Sequence, residues 1–132
     1  MDTRTDWDLA LRHEDARVAR YDRPAAVLAV RLRVVKPGMA DPYAARVGGV
    51  IRQQARETDR VTRVGPDRFH VLLPETLEAE ATVLAERVRV ACVALIPGIP
   101  GSEVEILVAA ASTSRGGTLV DALRTVCARL EG

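Results

Sequence analysis

Aromatic side chains are scarce in this sequence: Trp7, Tyr21, Tyr43 and Phe69 are the whole complement in 132 residues. A sheet that reads RNA by stacking bases needs aromatic rings on its surface, so the scarcity argues against that mode of recognition. Lysine is nearly missing as well. Lys36 is the sole one among 19 basic residues, and a formal net charge of +1 supplies no global field to draw nucleic acid or an anionic membrane. Cysteine is confined to Cys92 and Cys127, far apart, without CxxC spacing or a histidine cluster. That pattern predicts reduced core thiols and no metal or other cofactor, which suits a reducing cytoplasm. No apolar run approaches the roughly 18 residues that would cross a bilayer, and residues 1 to 8 are polar and acidic where a signal peptide would be basic and then apolar. The expectation is a soluble, cytoplasmic protein with no membrane insertion. Repeats and low-complexity linkers are missing too, so residues 1–132 read as one domain, long enough to bury a core without disulfides.

What the sequence does contain is apolar periodicity, carried mostly by Val, Ala and Leu. Trp7, Leu11, Glu14, Val18 and Tyr21 recur at helical spacing and predict a first amphipathic helix over 4–21, ended by Pro24. The run AAVLAVRLRV from Ala25 to Val34 begins wholly apolar and then alternates, as in a central strand whose far end opens to solvent or a site. KPGMADP (36–42) reads as a loop, and Tyr43, Val47, Val50, Ile51 and Gln54 predict a helix to about residue 58. RVTRV and RFHVLLP alternate on either side of Gly65, Pro66 and Asp67, the chemistry of a hairpin turn. Thr76 is the expected cap of a helix buried along Leu77, Ala81, Leu84, Val88, Ala91 and Leu95, broken by the PGIPG segment. Val104, Ile106 and Val108 alternate as a fourth strand, Arg115 to Gly117 read as a loop, and Leu119, Ala122, Leu123, Val126 and Leu130 mark a last helix. The order, helix, β-α-β-β-α-β, helix, predicts an α+β domain of ferredoxin-like plan. Its antiparallel sheet is expected to be covered by helices on one face, with extra N-terminal and C-terminal helices. Such a fold hosts many functions.

Several landmarks recur in order along DRVTRVGPDRFHVLLPETLEAEATVLAERVR. They are a D-x-v-a-R approach, a five-residue hairpin turn, v-L-L-P-x-T, and a helix with l-A-E-R-i-R. In this order and spacing they resemble the central signature of GGDEF (diguanylate cyclase) domains, with Gly65-Pro66-Asp67-Arg68-Phe69 at the signature pentapeptide. The resemblance extends upstream through RYDRPAAVLAVRLR and downstream through VEILVAAAS, covering nearly the whole chain. It implies a bacterial signalling domain of nucleotide-cyclase-like fold. Active members condense two GTP molecules into cyclic di-GMP at a dimer interface, using divalent metal ions held by acidic residues.

This sequence departs from that pattern where the chemistry is most demanding. The family's first-strand D-x-D falls on Arg31-Leu32-Arg33, and the glutamate of the signature falls on Arg68, leaving Asp67 alone among the acids. Hard cations need oxygen ligands, and guanidinium groups repel them, so the expectation is a pseudoenzyme without catalytic residues. Pro66 also removes a backbone N–H from the turn. Arg56-Glu57-Thr58-Asp59 reads R-x-x-D and ends six positions before Gly65, the placement of the family's inhibitory product site. There the Arg can donate to guanine O6 and N7 and the Asp can accept from N1 and N2, with Arg87 or Arg89 reaching a phosphate or second base. The plainer alternative is that Asp59 pairs locally and Arg56 is solvated. Arg31, Arg33 and Arg68 form either a basic patch for a phosphate-bearing ligand or an acidic partner, or a solvated strand end. Lys36 matches a phosphate-binding lysine of the family and Arg129 lies near another, with solvated charge as the plainer alternative for either. His13 and His70 lack metal-ligand spacing, and Ser102 and Ser112 lack a base at motif spacing. The function expected is a catalytically inactive module acting through a protein partner or a homodimer, with a cyclic di-GMP receptor as the alternative.

Overall fold

In a computed structural model, described over residues 4–21, 23–34, 40–95, 104–113 and 117–131, the chain forms four helices and four strands. They run α1 (Arg4–Tyr21), β1 (Ala25–Val34), α2 (Ala40–Gln54), β2 (Arg60–Gly65), β3 (Arg68–Pro74), α3 (Glu78–Leu95), β4 (Val104–Ser112) and α4 (Leu119–Glu131). The sheet order is β2-β3-β1-β4, antiparallel throughout, which is the expected ferredoxin-like arrangement with a helix added at each end. Lys36, Ser102 and the PGIPG segment lie outside the described residues, as does most of the Arg115 loop.

The helices lie on both faces of the sheet, not on one. Ala26, Leu28, Val30 and Leu32 of β1 face α2 and α3, packing with Ile51, Phe69 and Val88. The alternate residues Ala25, Val27 and Ala29 face α1 and α4, against Trp7, Leu11, Leu119 and Val126. A strand with water on one side would alternate polar and apolar; one with a core on each side has no polar position to spare. The unbroken AAVLAV run is therefore the trace of two cores, and alternation resumes at Arg31 where the second core ends.

Boundaries moved where local hydrogen bonding overrode periodicity. α2 starts within the predicted loop, because Pro42 falls in its first turn, where a backbone N–H has no helical acceptor to lose. It stops at Gln54, short of residue 58. The Asp59 carboxylate accepts the Arg56 N–H at 2.7 Å, and the Asp59 N–H donates to the Arg56 carbonyl at 3.0 Å, closing a turn in place of helix. Thr76 is not the cap of α3. Its hydroxyl donates to the Pro74 carbonyl and accepts from Arg56, while Glu80 reaches back to accept the Leu77 N–H at 3.0 Å. Leu77 thus sits at the cap and is exposed instead of joining the buried stripe, and Tyr21, at the far end of α1, is likewise exposed. α4 has a reciprocal cap between Thr118 and Asp121, and its Leu119 N–H donates to Asp15 of α1 at 2.8 Å.

Between β3 and α3 the chain turns through Glu75 at φ 51°, a left-handed conformation that costs a residue with a Cβ about 1–2 kcal/mol. Its carboxylate accepts from Arg17 of α1 and from Arg23, at 2.7 Å for the latter, so the strained corner is tied to the N-terminal helix. The Arg23 hydrogen bond, followed by the charges of Arg17 and Arg23, holds the Glu75 carboxyl below the usual carboxylate range.

Phe69 is fully buried and is the largest such side chain. Replacing it in Phe69→Ala should cost about 3–5 kcal/mol, read as a lower midpoint in urea unfolding with an unchanged slope.

Candidate functional site

The first candidate region is the end of β1 beside the hairpin. Antiparallel register sets Arg31 directly opposite Arg68, so two guanidinium groups share one patch of sheet. Like charges at that spacing repel unless an anion separates them. The anion is Glu131, in the last turn of α4, which pairs with Arg68 and lies 3.7 Å from Arg31. Arg31 also donates to the Leu130 carbonyl at 3.4 Å, a cation satisfying the C-terminal end of a helix. Arg129 does the same for the sheet, donating to the Ala110 carbonyl at 2.8 Å. Arg33 projects beyond this cluster and pairs with Glu105 of β4 at 3.3 Å. The hydrogen bond from Arg68, then its charge and those of Arg31 and Arg33, hold the Glu131 carboxyl below its ordinary value.

The turn itself is fixed from both sides. The Leu32 N–H donates to the Asp67 carbonyl at 2.8 Å, and Arg63 donates to the carbonyls of Gly65 and Pro66. Register slips between Arg63 and Gly65, and Phe69 turns inward to the core. Among the described residues, no group of three His, Cys, Asp or Glu side chains lies together to hold a metal ion. Glu131 and Glu105 are the partners that sequence reasoning missed. Nothing near them in the chain points to Arg31 or Arg33; only strand register and the docking of α4 bring them together.

The second region is a cavity of about 340 Å³ between the α2 end, the β3–α3 corner and α3. Arg56, Asp59 and Arg87 line it with Thr76 and Glu80, so three of the four residues expected at a product site do converge. Arg89 does not. It lies elsewhere on α3, its guanidinium held by Glu86 at 3.0 Å. Asp59 is less available than the guanine reading requires. Its side chain is only 1 % exposed, and its two oxygens accept the Arg56 N–H at 2.7 Å and the Arg56 guanidinium at 3.3 Å. Arg56 extends further, donating to the Pro74 carbonyl at 2.9 Å and the Thr76 hydroxyl at 2.7 Å. The cavity thus offers two guanidinium groups, of Arg56 and Arg87, and a carboxylate, Glu80, at its walls.

A third cluster sits beneath α1. The His70 ring lies 6.1 Å from the Trp7 ring, and its Nε2 is 3.7 Å from the Cys127 Sγ. Burial, aided by the charges of Arg4 and Arg68, pushes the imidazole down to about 4, so it is neutral at physiological pH. His13 is exposed on α1. Cys92 is a buried free thiol whose burial pushes it up to about 11, which makes it inert.

No protein-family model matches the chain, and no curated protein sequence does. Its structure, however, is similar to solved GGDEF domains. The active GGEEF domain of a diguanylate cyclase from Vibrio cholerae superposes with a TM-score of 0.73 at 18% identity, covering 88% of this chain and 80% of that one. The coiled coil and GGDEF domain of DgcB from Caulobacter crescentus, in complex with c-di-GMP, gives 0.76 at 13% identity, over 95% and 72%. Diguanylate cyclase SiaD from Pseudomonas aeruginosa, in complex with its activator SiaC, gives 0.72 at 22% identity, over 90% of this chain and 49% of that one. The chain has the GGDEF-domain fold.

The neutral His70 yields a pH prediction. Its folded-state value of about 4 lies below the ordinary 6.5, so the unfolded chain binds the proton more readily. The contribution of this group is complete above about pH 6.5 and is lost as pH falls toward about 4. Thermal melts of the parent should show that loss, and His70→Gln should flatten the profile in this window. An imidazole titrating near its ordinary value by NMR would contradict the burial argument.

Proposed function

We propose that the chain is a catalytically silent GGDEF-fold domain that works in cyclic di-GMP signalling by association, either with another protein or with a second copy of itself. The observation that carries this reading is the Arg31, Arg68 and Glu131 cluster, at the strand end where the family resemblance expects carboxylates. Phosphoryl transfer between two nucleotides needs a divalent ion to bridge phosphate oxygens and take up developing charge. Two arginines at that place would bind phosphate without a metal, and the carboxylate of Glu131 is engaged by both. Arg33, paired with Glu105, extends the same electrostatic character along β1. A scaffold of this kind keeps surfaces and shape while presenting guanidinium groups where a magnesium ion would need oxygen ligands. Association with a protein has a parallel in SiaD, solved with its activator SiaC.

A second reading, a cyclic di-GMP receptor, is favoured by one observation: Arg56 and Arg87 reach the same cavity, whose 340 Å³ falls within the usual range for small-molecule sites. DgcB is solved in complex with c-di-GMP. In this reading Arg56 and Arg87 hold phosphate or the guanine edge, and Asp59 acts mainly by positioning Arg56.

Two measurements test these readings. Incubation with GTP and magnesium or manganese should give no cyclic di-GMP above a no-protein control; product formed in proportion to protein would overturn catalytic silence. For the receptor reading, calorimetric titration should give a Kd tighter than about 100 µM, near −5.5 kcal/mol. Arg56→Ala and Arg87→Ala should each weaken it by about ten-fold or more, while Arg89→Ala leaves it unchanged. No heat from the parent, or equal loss from Arg89→Ala, removes that reading.

A further inference from the structure

β4 is an edge strand, and no described strand pairs with its outer side. The phase of its ladder fixes which backbone groups point there. The Thr113 N–H donates to the Ala25 carbonyl at 2.9 Å, and the register continues with Ala26 opposite Ser112. Bonded and non-bonded residues alternate in an antiparallel pair, so Ala111, Ala109, Leu107 and Glu105 bond to β1. The other ladder of β1 agrees: the Leu32 N–H donates to Asp67, which assigns the even-numbered residues of β1 to β3 and leaves the odd-numbered ones for β4. The N–H and C=O groups of Val104, Ile106, Val108 and Ala110 therefore point away from the sheet. Of these, the Ala110 carbonyl is taken by Arg129 at 2.8 Å. Natural edges are guarded by Lys, Pro, bulges or covering elements. The nine residues of β4, VEILVAAAS, hold no Lys or Pro, and Glu105 is their one charge. Val104 and Val108 are only partly buried against the core under α2 and α3. The segment from Val104 to Val108 is thus an apolar strand template, with Arg129 standing guard just beyond its end.

We propose that β4 pairs antiparallel with β4 of a second copy across a two-fold axis at Ile106, joining the two sheets edge to edge. Alternating donors and acceptors call for an extended strand, and this strand is complementary to itself in one register. Outward-pointing residues must oppose outward-pointing residues, so even-numbered positions stay together. With the axis at Ile106, Val104 opposes the partner's Val108 and Ile106 opposes the partner's Ile106, each pair exchanging both of its N–H···O bonds. β-branched side chains then meet across the junction and cover the partly exposed valines on the α2 and α3 side. Glu105 lies opposite the partner's Leu107, while its carboxylate keeps Arg33 at 3.3 Å within its own chain. An axis at Glu105 would set two like charges directly opposite each other. An axis at Leu107 would bring the partner's Val104 against the Ala110 carbonyl that Arg129 occupies. Charge placement on one side and the arginine on the other thus leave the register centred on Ile106. The inference rests on the association reading only in taking a second copy as the partner; the absence of cyclase activity is tested separately and stands or falls without it.

Sedimentation of the full chain from about 1 to about 100 µM, with amide hydrogen exchange followed by NMR, decides the matter. The parent is expected to dimerise within that range. As it does so, the amides of Val104, Ile106 and Val108 should slow by at least about ten-fold, while those of Glu105 and Leu107, already bonded to β1, change little. Val108→Pro removes an outward N–H and none that β1 uses, so the fold should persist and the dimer weaken by at least about ten-fold. Val104→Lys, at the start of the strand, should weaken it as much by placing a charge at the junction, and it serves if the proline disturbs the sheet. Circular dichroism checks that each variant is folded. A parent that stays monomeric at the top of the range overturns the proposal; protection of its three outward amides would then mean that a segment of its own chain covers the edge. Folded variants that dimerise as the parent does also overturn it, as does a dimer whose new protection appears elsewhere in the domain.

Discussion

The burial of β1 on both faces and its pairing on both edges is the constraint on which the rest of this structure depends. β3 and β4 flank it, and separate cores form above and below it. A strand so enclosed has no freedom of register, because a slip by one residue would exchange the contents of the two cores. The register then dictates what happens where the cores end. Arg31 must stand opposite Arg68, and the only way to keep two guanidinium groups adjacent at the rim is to supply an anion. α4, docked on the same face through Leu119, Val126 and Leu130, ends there and delivers Glu131. The electrostatics of this strand end are thus a consequence of packing several residues away.

The corner at Pro74, Glu75 and Thr76 is where the other parts of the domain are joined. Arg56 holds it from one side, through the Pro74 carbonyl and the Thr76 hydroxyl, and Arg17 and Arg23 hold Glu75 from the other. Surface ion pairs contribute little singly, about 0–1 kcal/mol. Here they converge on one residue with a left-handed backbone, and their role is to fix a conformation that the residue would not choose alone. The R-x-x-D turn is consequently part of the architecture as well as a wall of the cavity. Asp59, buried and committed to Arg56, belongs to the first role; Arg87, unpaired among the described residues, does not.

α3 meets two demands on opposite sides of its circumference. Small residues, Ala81 and Ala85, let it lie close to the sheet, while Arg87, at the cavity, shares the outer side with Val83 and Val90. The 3.6-residue period keeps the core side apart from the outer side, but it does not by itself say which stripe is the core, since both the inner and outer stripes are apolar. Leu77 continues the spacing of the buried Ala81 and Val88 but sits at the cap, before the first helical turn, and is therefore exposed.

Periodicity and turn chemistry were enough to determine the eight elements, their order and the ferredoxin-like plan, because helices and strands are selected by local patterns of 3.6 and 2 residues. The hairpin at Pro66 and Asp67 was legible for the same reason, and the presence of Arg31, Arg33 and Arg68 where the family resemblance expects acids is a matter of identity alone. The convergence of Arg56, Asp59 and Arg87 was legible through family spacing, while the exclusion of Arg89 was not, since two positions on a helix differ by about 200° in direction. Tertiary structure alone decided that helices cover both faces, that Asp59 ends α2, that His70 lies under Trp7, and that Glu131 sits between Arg31 and Arg68. Except for the turn at Asp59, where a local hydrogen bond displaced a helix, these contacts join residues far apart in the chain. Their energies depend on register and docking, which no local pattern encodes.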